Sequence, residues 1–313
     1  MKSPVLFIVF NRPETTRTVF DAIRASRPPR LYVAADGPRS RVANEDVRCQ
    51  QVRDIATNVD WPCQLTTRFS DVNLGCKKGV SSALNWFFDQ EEEGIVLEDD
   101  VLPVEGFFEY CDELLDRYRG HPEIGIISGC NLVTSNCQGT SSYFFSRYAH
   151  IWGWATWRRT WRLYDVTMTA WPAWRDGGGL TEEFTANAPQ QAYWRGMLDQ
   201  VYEGKIDTWD YQLAFACWRN NMLSIIPSRN LTLNIGFGID ATHTVGETPK
   251  LVRKSAPKPI TFPLDHPDRV ERTAKTDDEI WRKVFRRKLI SRIKLFLLSL
   301  KSQLFHNGVS NAK

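Results

Sequence analysis

Apolar positions in the first 135 residues follow two rhythms, short unbroken runs and spacings of three to four. Val5 to Phe10 is an unbroken apolar run of strand length. Pro13 suits a helix first turn, and Val19, Phe20 and Ile23 then fall on one helical face. Leu31–Ala35 predicts a second strand, closed by the turn signal Asp36-Gly37-Pro38. Residues 45–57 predict a helix and Cys63–Phe69 a third strand. Residues 78–90 carry Val80, Leu84, Phe87 and Phe88 at helical spacing. Ile95–Leu97 is a short apolar strand that runs directly into Glu98-Asp99-Asp100. A helix over 105–119 and a strand at Ile124–Ile127 follow. This alternation predicts an α/β fold, a mostly parallel sheet flanked by helices on both faces.

Beyond about residue 140 the pattern changes. Six tryptophans fall between Trp152 and Trp174, and Gly177-Gly178-Gly179 marks a loop. Residues 189–203 and 208–220 predict helices, and Leu223–Ile226 and Leu231–Ile235 predict strands. Residues 246–278, rich in Pro and charge, have no period and suggest a linker. In the last segment Trp281, Val284, Phe285, Leu289, Ile293 and Phe296 form an apolar stripe at helical spacing, interleaved with bases. The expected organisation is a domain over 1–245, with halves at 1–135 and 136–245, a linker over 246–278 and a basic amphipathic tail over 279–313.

Composition narrows the class. The chain has 313 residues, 42% hydrophobic and 25% charged, which excludes fibrous and disordered proteins. The formal net charge of +3 gives no reason to expect a nucleic-acid partner. It is unevenly spread: residues 279–313 hold nine Lys/Arg and one Asp/Glu, so a slightly acidic body carries a basic tail. Seven cysteines, odd in number and without a CxxC pair, suit reduced thiols and a cytoplasmic location. The apolar run near the N-terminus is too short for a signal peptide, and no run reaches the ~18 residues of a membrane span.

The chemistry starts at Glu98, Asp99 and Asp100. In open α/β sheets ligands bind beyond the C-terminal ends of the strands. Three acids emerging there repel one another unless something cationic is bound, and such hard oxygens suit Mg²⁺ or Mn²⁺ with substrate phosphates. Phe10-Asn11-Arg12-Pro13 and Ala35-Asp36-Gly37 sit at the ends of the first and second strands, so all three motifs can line one crevice. Arg12 suits bidentate phosphate contact and Asp36 suits the N–H of a base; each also suits an ordinary turn. Asn73-Leu74-Gly75-Cys76-Lys77-Lys78-Gly79 opens a helix, whose N-terminus with nearby lysine suits a phosphate or a plain capped turn.

These residues carry a resemblance. VLFIVFNRPE (5–14), AADGP (34–38), NLGCKKGVSSALNWFF (73–88) and GIVLEDDVLP (94–103) with GFFEYCDELL (106–115) resemble a GT-A nucleotide-sugar glycosyltransferase. The pattern is similar to the N-acetylglucosaminyltransferase I type and to small bacterial sugar transferases with the EDD motif. HIWGWATWRRTW (150–161) and DTWDYQ (207–212) resemble its acceptor half, so the likeness spans roughly residues 4–245. It implies a Rossmann-like GT-A fold, Mn²⁺ or Mg²⁺ on Asp100, ribose or metal at Asp99 and the donor sugar at Glu98. Phe10, Asn11, Arg12, Asp36, Asn73, Lys77 and Lys78 would then hold the nucleotide-sugar, usually a UDP-sugar; the two lysines depart from the nearest relatives.

Transfer needs a cation for the leaving diphosphate, a base for the acceptor hydroxyl, and exclusion of water. Asp210 matches the family's base, with Asp207 as the fallback. His150, Trp152, Gly153 and Trp154 fall where the resemblance places an acceptor-facing turn, although Trp equally builds cores and His150 equally serves structure. His243 matches a metal or diphosphate histidine, or is a loop residue. A basic amphipathic helix over 279–305 fits an anionic membrane surface, and so a peripheral enzyme acting on a glycan or glycolipid acceptor; the same stripe fits packing on the domain. The leading expectation is a metal-dependent, inverting glycosyltransferase. The alternatives are a nucleotidyltransferase, a non-catalytic nucleotide-sugar-binding protein and a glycosidase.

Overall fold

Side-chain parity in the first strand organises both layers. Val5, Phe7 and Val9 join one core, and Leu6 and Ile8 point into the other, because successive strand residues face opposite sides. The computed structural model describes residues 1–133, 141–185, 187–237 and 250–286. Its strands are β1 (Val5–Val9), β2 (Arg30–Ala35), β3 (Gln64–Phe69), β4 (Glu93–Glu98), β5 (Val101–Pro103), β6 (Ile124–Ser128), β7 (Tyr143–Ser146), β8 (Trp154–Trp157), β9 (Leu223–Pro227) and β10 (Thr232–Asn234). The helices are α1 (Pro13–Ser26), α2 (Glu45–Thr57), α3 (Gly75–Gln90), α4 (Phe107–Arg117), α5 (Arg158–Trp161), α6 (Trp171–Asp176), α7 (Gly179–Glu183), α8 (Ala188–Tyr202), α9 (Asp210–Arg219), α10 (Lys250–Lys254) and α11 (Ala274–Ile280). One π-helical turn follows at Trp281–Phe285.

Eight strands form one sheet in the order β3-β2-β1-β4-β8-β6-β9-β7, and β10 pairs with β5 in a small second sheet. β3, β2, β1 and β4 are parallel, β6 and β9 are parallel, and β8 and β7 run against them. The expected flanked α/β sheet is present, but mixed. The antiparallel members come from 143–157, where the tryptophan count hid two short strands. β8 is filled by Trp154, Ala155, Thr156 and Trp157, all buried between β4 and β6. One face of the sheet packs on α1, α2 and α4, the other on α3 and α9. A further apolar cluster gathers Trp171, Trp194, Trp218 and Trp281 with α8 beyond the β9–β7 edge.

The segment expected as a linker departs from that reading. The Lys258 amide donates to the Asn230 carbonyl, the Ser142 amide to the Asp265 carbonyl and the Thr273 amide to the Phe145 carbonyl. Ile260 and Leu264 are buried in the first core. His266 joins Tyr143 and Glu113 on the domain. A few well-spaced apolar residues and backbone bonds hold this segment as a strap, without any period a sequence would show. The tail departs likewise as far as it is described: Trp281 and Val284 are buried and Phe285 packs against the same cluster, so these members of the stripe face the domain. The remaining positions, 287–305, lie outside the described residues. Among the described residues no helix is long and apolar enough to cross a membrane, and the cysteines are free thiols.

Candidate functional site

The C-terminal ends of β1, β2 and β4 open into one cleft of about 890 Å³. It is lined by Phe10, Arg12, Asp36, Asn73, the triplet Glu98-Asp99-Asp100, Trp152 and Asp210. Residues from six separated stretches therefore converge. The reason is topological: parallel strands deliver their ends to one edge, where the loops that follow must gather.

The acidic triplet is tightly held. Asp99 is buried and accepts from the Phe10 amide at 3.1 Å and from the Arg12 guanidinium at 3.1 Å. The same Arg12 nitrogen lies 3.1 Å from Asp100 Oδ2. Burial pushes the Asp99 carboxyl above its ordinary range, against the pull of Arg12. Glu98 is raised further, first by burial and then by the charges of Asp100, Asp99 and Asp210. For Arg12, burial disfavours the charge, but Asp99 and Asp100 outweigh it and raise its pKa. Arg12 is thus bound to the acids, and it is not the free phosphate ligand that its position suggested.

The donor set fits a divalent cation. The ligands are hard oxygens, and one guanidinium stands against the carboxylates of Glu98, Asp99, Asp100 and Asp210. Among the described residues no three His, Cys, Asp or Glu side chains converge on a single point. A cation here would rest on one or two carboxylates plus substrate phosphates, which is how Mg²⁺ is commonly bound. His243, expected as a further ligand, lies outside the described residues.

Asp36 is held by the chain itself. Its two oxygens accept from the amides of Gly37, Leu74 and Gly75 and from Asn73 Nδ2, at 2.8–3.2 Å. Burial raises its pKa, opposed by these amides. A carboxylate so fully engaged ties β2 to the start of α3 and has little left for a base. Lys77, half-buried, and Lys78, exposed, do not line the cleft. The helix start they were to assist is taken: the Leu74 and Gly75 amides bind Asp36, and the Cys76 amide donates to Asp207 Oδ2 at 3.2 Å. Asn11 also leaves the cleft, donating from Nδ2 to Glu45 Oε1 at 2.7 Å.

Asp210, which also lines the cleft, is the first residue of α9. Its Oδ1 accepts from the Thr208 hydroxyl and from the Tyr211 amide at 3.0 Å. Trp152 lines the rim, edge-on to Phe237 at 6.2 Å between ring centres. The other acceptor-side expectations move into the body. Trp154 is 1% exposed and stacks on Trp209 at 5.6 Å, since β8 is a central strand. Gly153 is buried, its carbonyl accepting from the Gly129 amide at 2.7 Å. His150 is 8% exposed, its amide donating to Ser128 Oγ, and it does not line the cleft.

Several cleft residues had no sequence signal. Arg39 lies 5.6 Å from the Phe10 ring and is clamped by Glu45, whose side chain is wholly buried. Glu45 looked like any acid in a first helical turn. Asn234 lines the cleft, and Gly236 packs over the Arg12–Asp100 pair. Arg68 lines the far end beside Ser82, its guanidinium donating to the Ser82 carbonyl at 2.8 Å.

No protein-family description and no curated protein matches the chain. Solved structures overlap it loosely. A UDP-glucose pyrophosphorylase complexed with UDP-glucose aligns at TM-score 0.31 and 11% identity, over 52% of this chain and 79% of that one. An apo UDP-glucose pyrophosphorylase aligns at TM-score 0.37 and 8% identity, over 75% and 93%. A 4-diphosphocytidyl-2C-methyl-D-erythritol synthase from Anaerococcus prevotii aligns at 0.31 and 9%, over 51% and 74%. Overlaps this loose carry no argument about activity, which has to be read from the cleft itself.

Proposed function

We propose that this chain is a divalent-metal-dependent glycosyltransferase that moves a sugar, with inversion, from a UDP-sugar to a hydroxyl of a glycan or lipid-linked glycan. One observation carries the reading: the acidic end of β4 and the carboxylate of Asp210, which belong to separate elements, line the same cleft. One wall then suits a departing diphosphate and the other suits a base.

Asp100 would hold a divalent cation, which would neutralise the charge that develops on the diphosphate, and Glu98 would face the donor sugar. Arg12 holds Asp99 and Asp100 in place, so these acids need little reorganisation. The ring of Trp152 offers an apolar face for the acceptor sugar. Asp210 takes the proton from the acceptor hydroxyl. The acceptor oxygen bonds to the anomeric carbon from one side, the bond to the diphosphate oxygen breaks on the other, and the electron pair leaves with the diphosphate.

The nucleotidyltransferase alternative would release pyrophosphate and would use a Gly-rich loop after the first strand. Here Phe10-Asn11-Arg12-Pro13 follows β1 directly and enters α1. The test is titration calorimetry with a panel of UDP-sugars, with and without Mn²⁺, paired with transfer assays on Asp210→Asn. We expect Mn²⁺-dependent saturation by one donor, unchanged donor affinity in the variant, and transfer reduced about 10²–10⁴-fold, the usual worth of a general base. Retained transfer by the variant overturns the assignment, and pyrophosphate release by the parent protein overturns the reaction class.

A further inference from the structure

Asp207 was the reserve choice for the base, but its contacts describe other work. Its Oδ2 accepts from the Cys76 amide at 3.2 Å, on the first turn of α3. Gly75, at φ +75°, would place a β-carbon 3.1 Å from the same oxygen, so the helix start approaches Asp207 closely. Three residues on stands Asp210. The turn between them is held on its other side, where Trp209 stacks on Trp154 of β8 at 5.6 Å with the planes 25° apart. Within it, Thr208 donates its hydroxyl to Asp210, and Gln212 Nε2 donates to the Thr208 carbonyl at 2.7 Å.

The same helix start carries the donor wall. The Leu74 and Gly75 amides hold Asp36 at the end of β2. Two carboxylates that line the cleft, Asp36 after β2 and Asp207 before α9, therefore dock on successive amides of the start of α3, so one helix end holds both. An amide donating to a carboxylate at a helix start is a charge-assisted bond that also gains from the helix dipole.

Building on the function proposed above, we propose that Asp207 is a positioning residue: by docking the 207–210 turn on the start of α3, it sets the distance of Asp210 from the donor. Asp207 itself takes no proton. The accepting oxygen does the positioning and the negative charge only strengthens the bond, and this separates the role from that of a base.

Asp207→Asn and Asp207→Ala make the test. Asn keeps an oxygen for the Cys76 amide, so its kcat should stay within about threefold of the parent, whereas Ala should lose about 10²-fold, the scale of a 1 Å misplacement. The KM for the donor should hold in both. Gly75→Ala, which crowds the same oxygen from the helix side, should repeat the loss of kcat and serves if Asp207→Ala fails to fold. Asn falling as far as Ala would make Asp207 the base, and either Ala variant keeping the parent rate would remove the positioning role. If the parent transfers no sugar, Asp210 is no base and this role falls with it; if the parent transfers and Asp207→Ala matches it, only the positioning role falls.

Discussion

A β-carbon at position 236 would lie 2.2 Å from Asp100 Oδ2 and 2.6 Å from an Arg12 nitrogen. These two neighbours are ends of side chains, but Asp100 Cβ would also lie at 2.7 Å, next to the backbone, so filling that space disturbs the site and the backbone that carries it. Gly236→Ala should weaken Mn²⁺-dependent UDP-sugar binding by about tenfold or more, the worth of one displaced charge-assisted contact, and lower the melting temperature as well. Calorimetry beside a thermal melt checks both halves, and a lower melting temperature with unchanged affinity would contradict it. Single residues were where the sequence was least readable. Glu98, Asp99 and Asp100 could be found because an apolar strand ran straight into them. Gly236 could not, since nothing local shows which acid a later loop will cover. Trp152 and Trp154 look alike in sequence, yet one lines the cleft and the other is sealed in β8, because the strand begins at Trp154 and Trp152 lies two residues before it.

Among the connecting elements, the loop from β2 to α2 shows a buried acid organising a wall. Glu45 accepts from the Arg39 amide at 2.6 Å, from the Arg39 guanidinium and from Asn11 Nδ2. Burial alone would raise its pKa, but these donors win and lower it to about 2. A carboxylate depressed in the folded state stabilises above its unfolded value, near 4.5, and that contribution is lost as pH falls from there towards 2. Discounted because Arg39 is itself half exposed to solvent, it is worth about 1–2 kcal/mol at neutral pH. Glu45→Gln should therefore lower the neutral-pH melting temperature and flatten its decline below pH 4.5; melts over pH 2–7 would show a parallel curve if Glu45 were not the titrating group. The helix over residues 45–57 was legible to the residue, because apolar spacing sets its face. The partner of its first acid was not, because Arg39 lies in a turn without a period.

For the molecule as a whole, the strap packs on the first core and the start of the tail closes the tryptophan-rich cluster around α8. Trp281 is 4% exposed among Tyr193, Trp194 and Val284, so its removal should cost about 3–5 kcal/mol, as for other buried aromatics. A chain ending after residue 286 should melt like the full chain, whereas one ending before residue 279 should melt well below it. The two truncations also separate packing from membrane attachment. We expect vesicles containing anionic lipid to sediment the full chain and not the chain ending at 286, which would assign the surface to 287–305. Equal sedimentation of both would withdraw the membrane proposal.

By itself the sequence determined the alternation of strands and helices over the first 130 residues, the orientation of their apolar faces, and the delivery of an acidic triplet to a strand end. These follow from periodicity and parity, which are local properties of the chain. Tertiary structure alone decided that β8 enters the sheet against its neighbours, that Arg12 pairs with the acids, and that two distant carboxylates share the start of α3. Each of these joins residues far apart in the chain, and burial chose among partners that local pattern leaves equivalent.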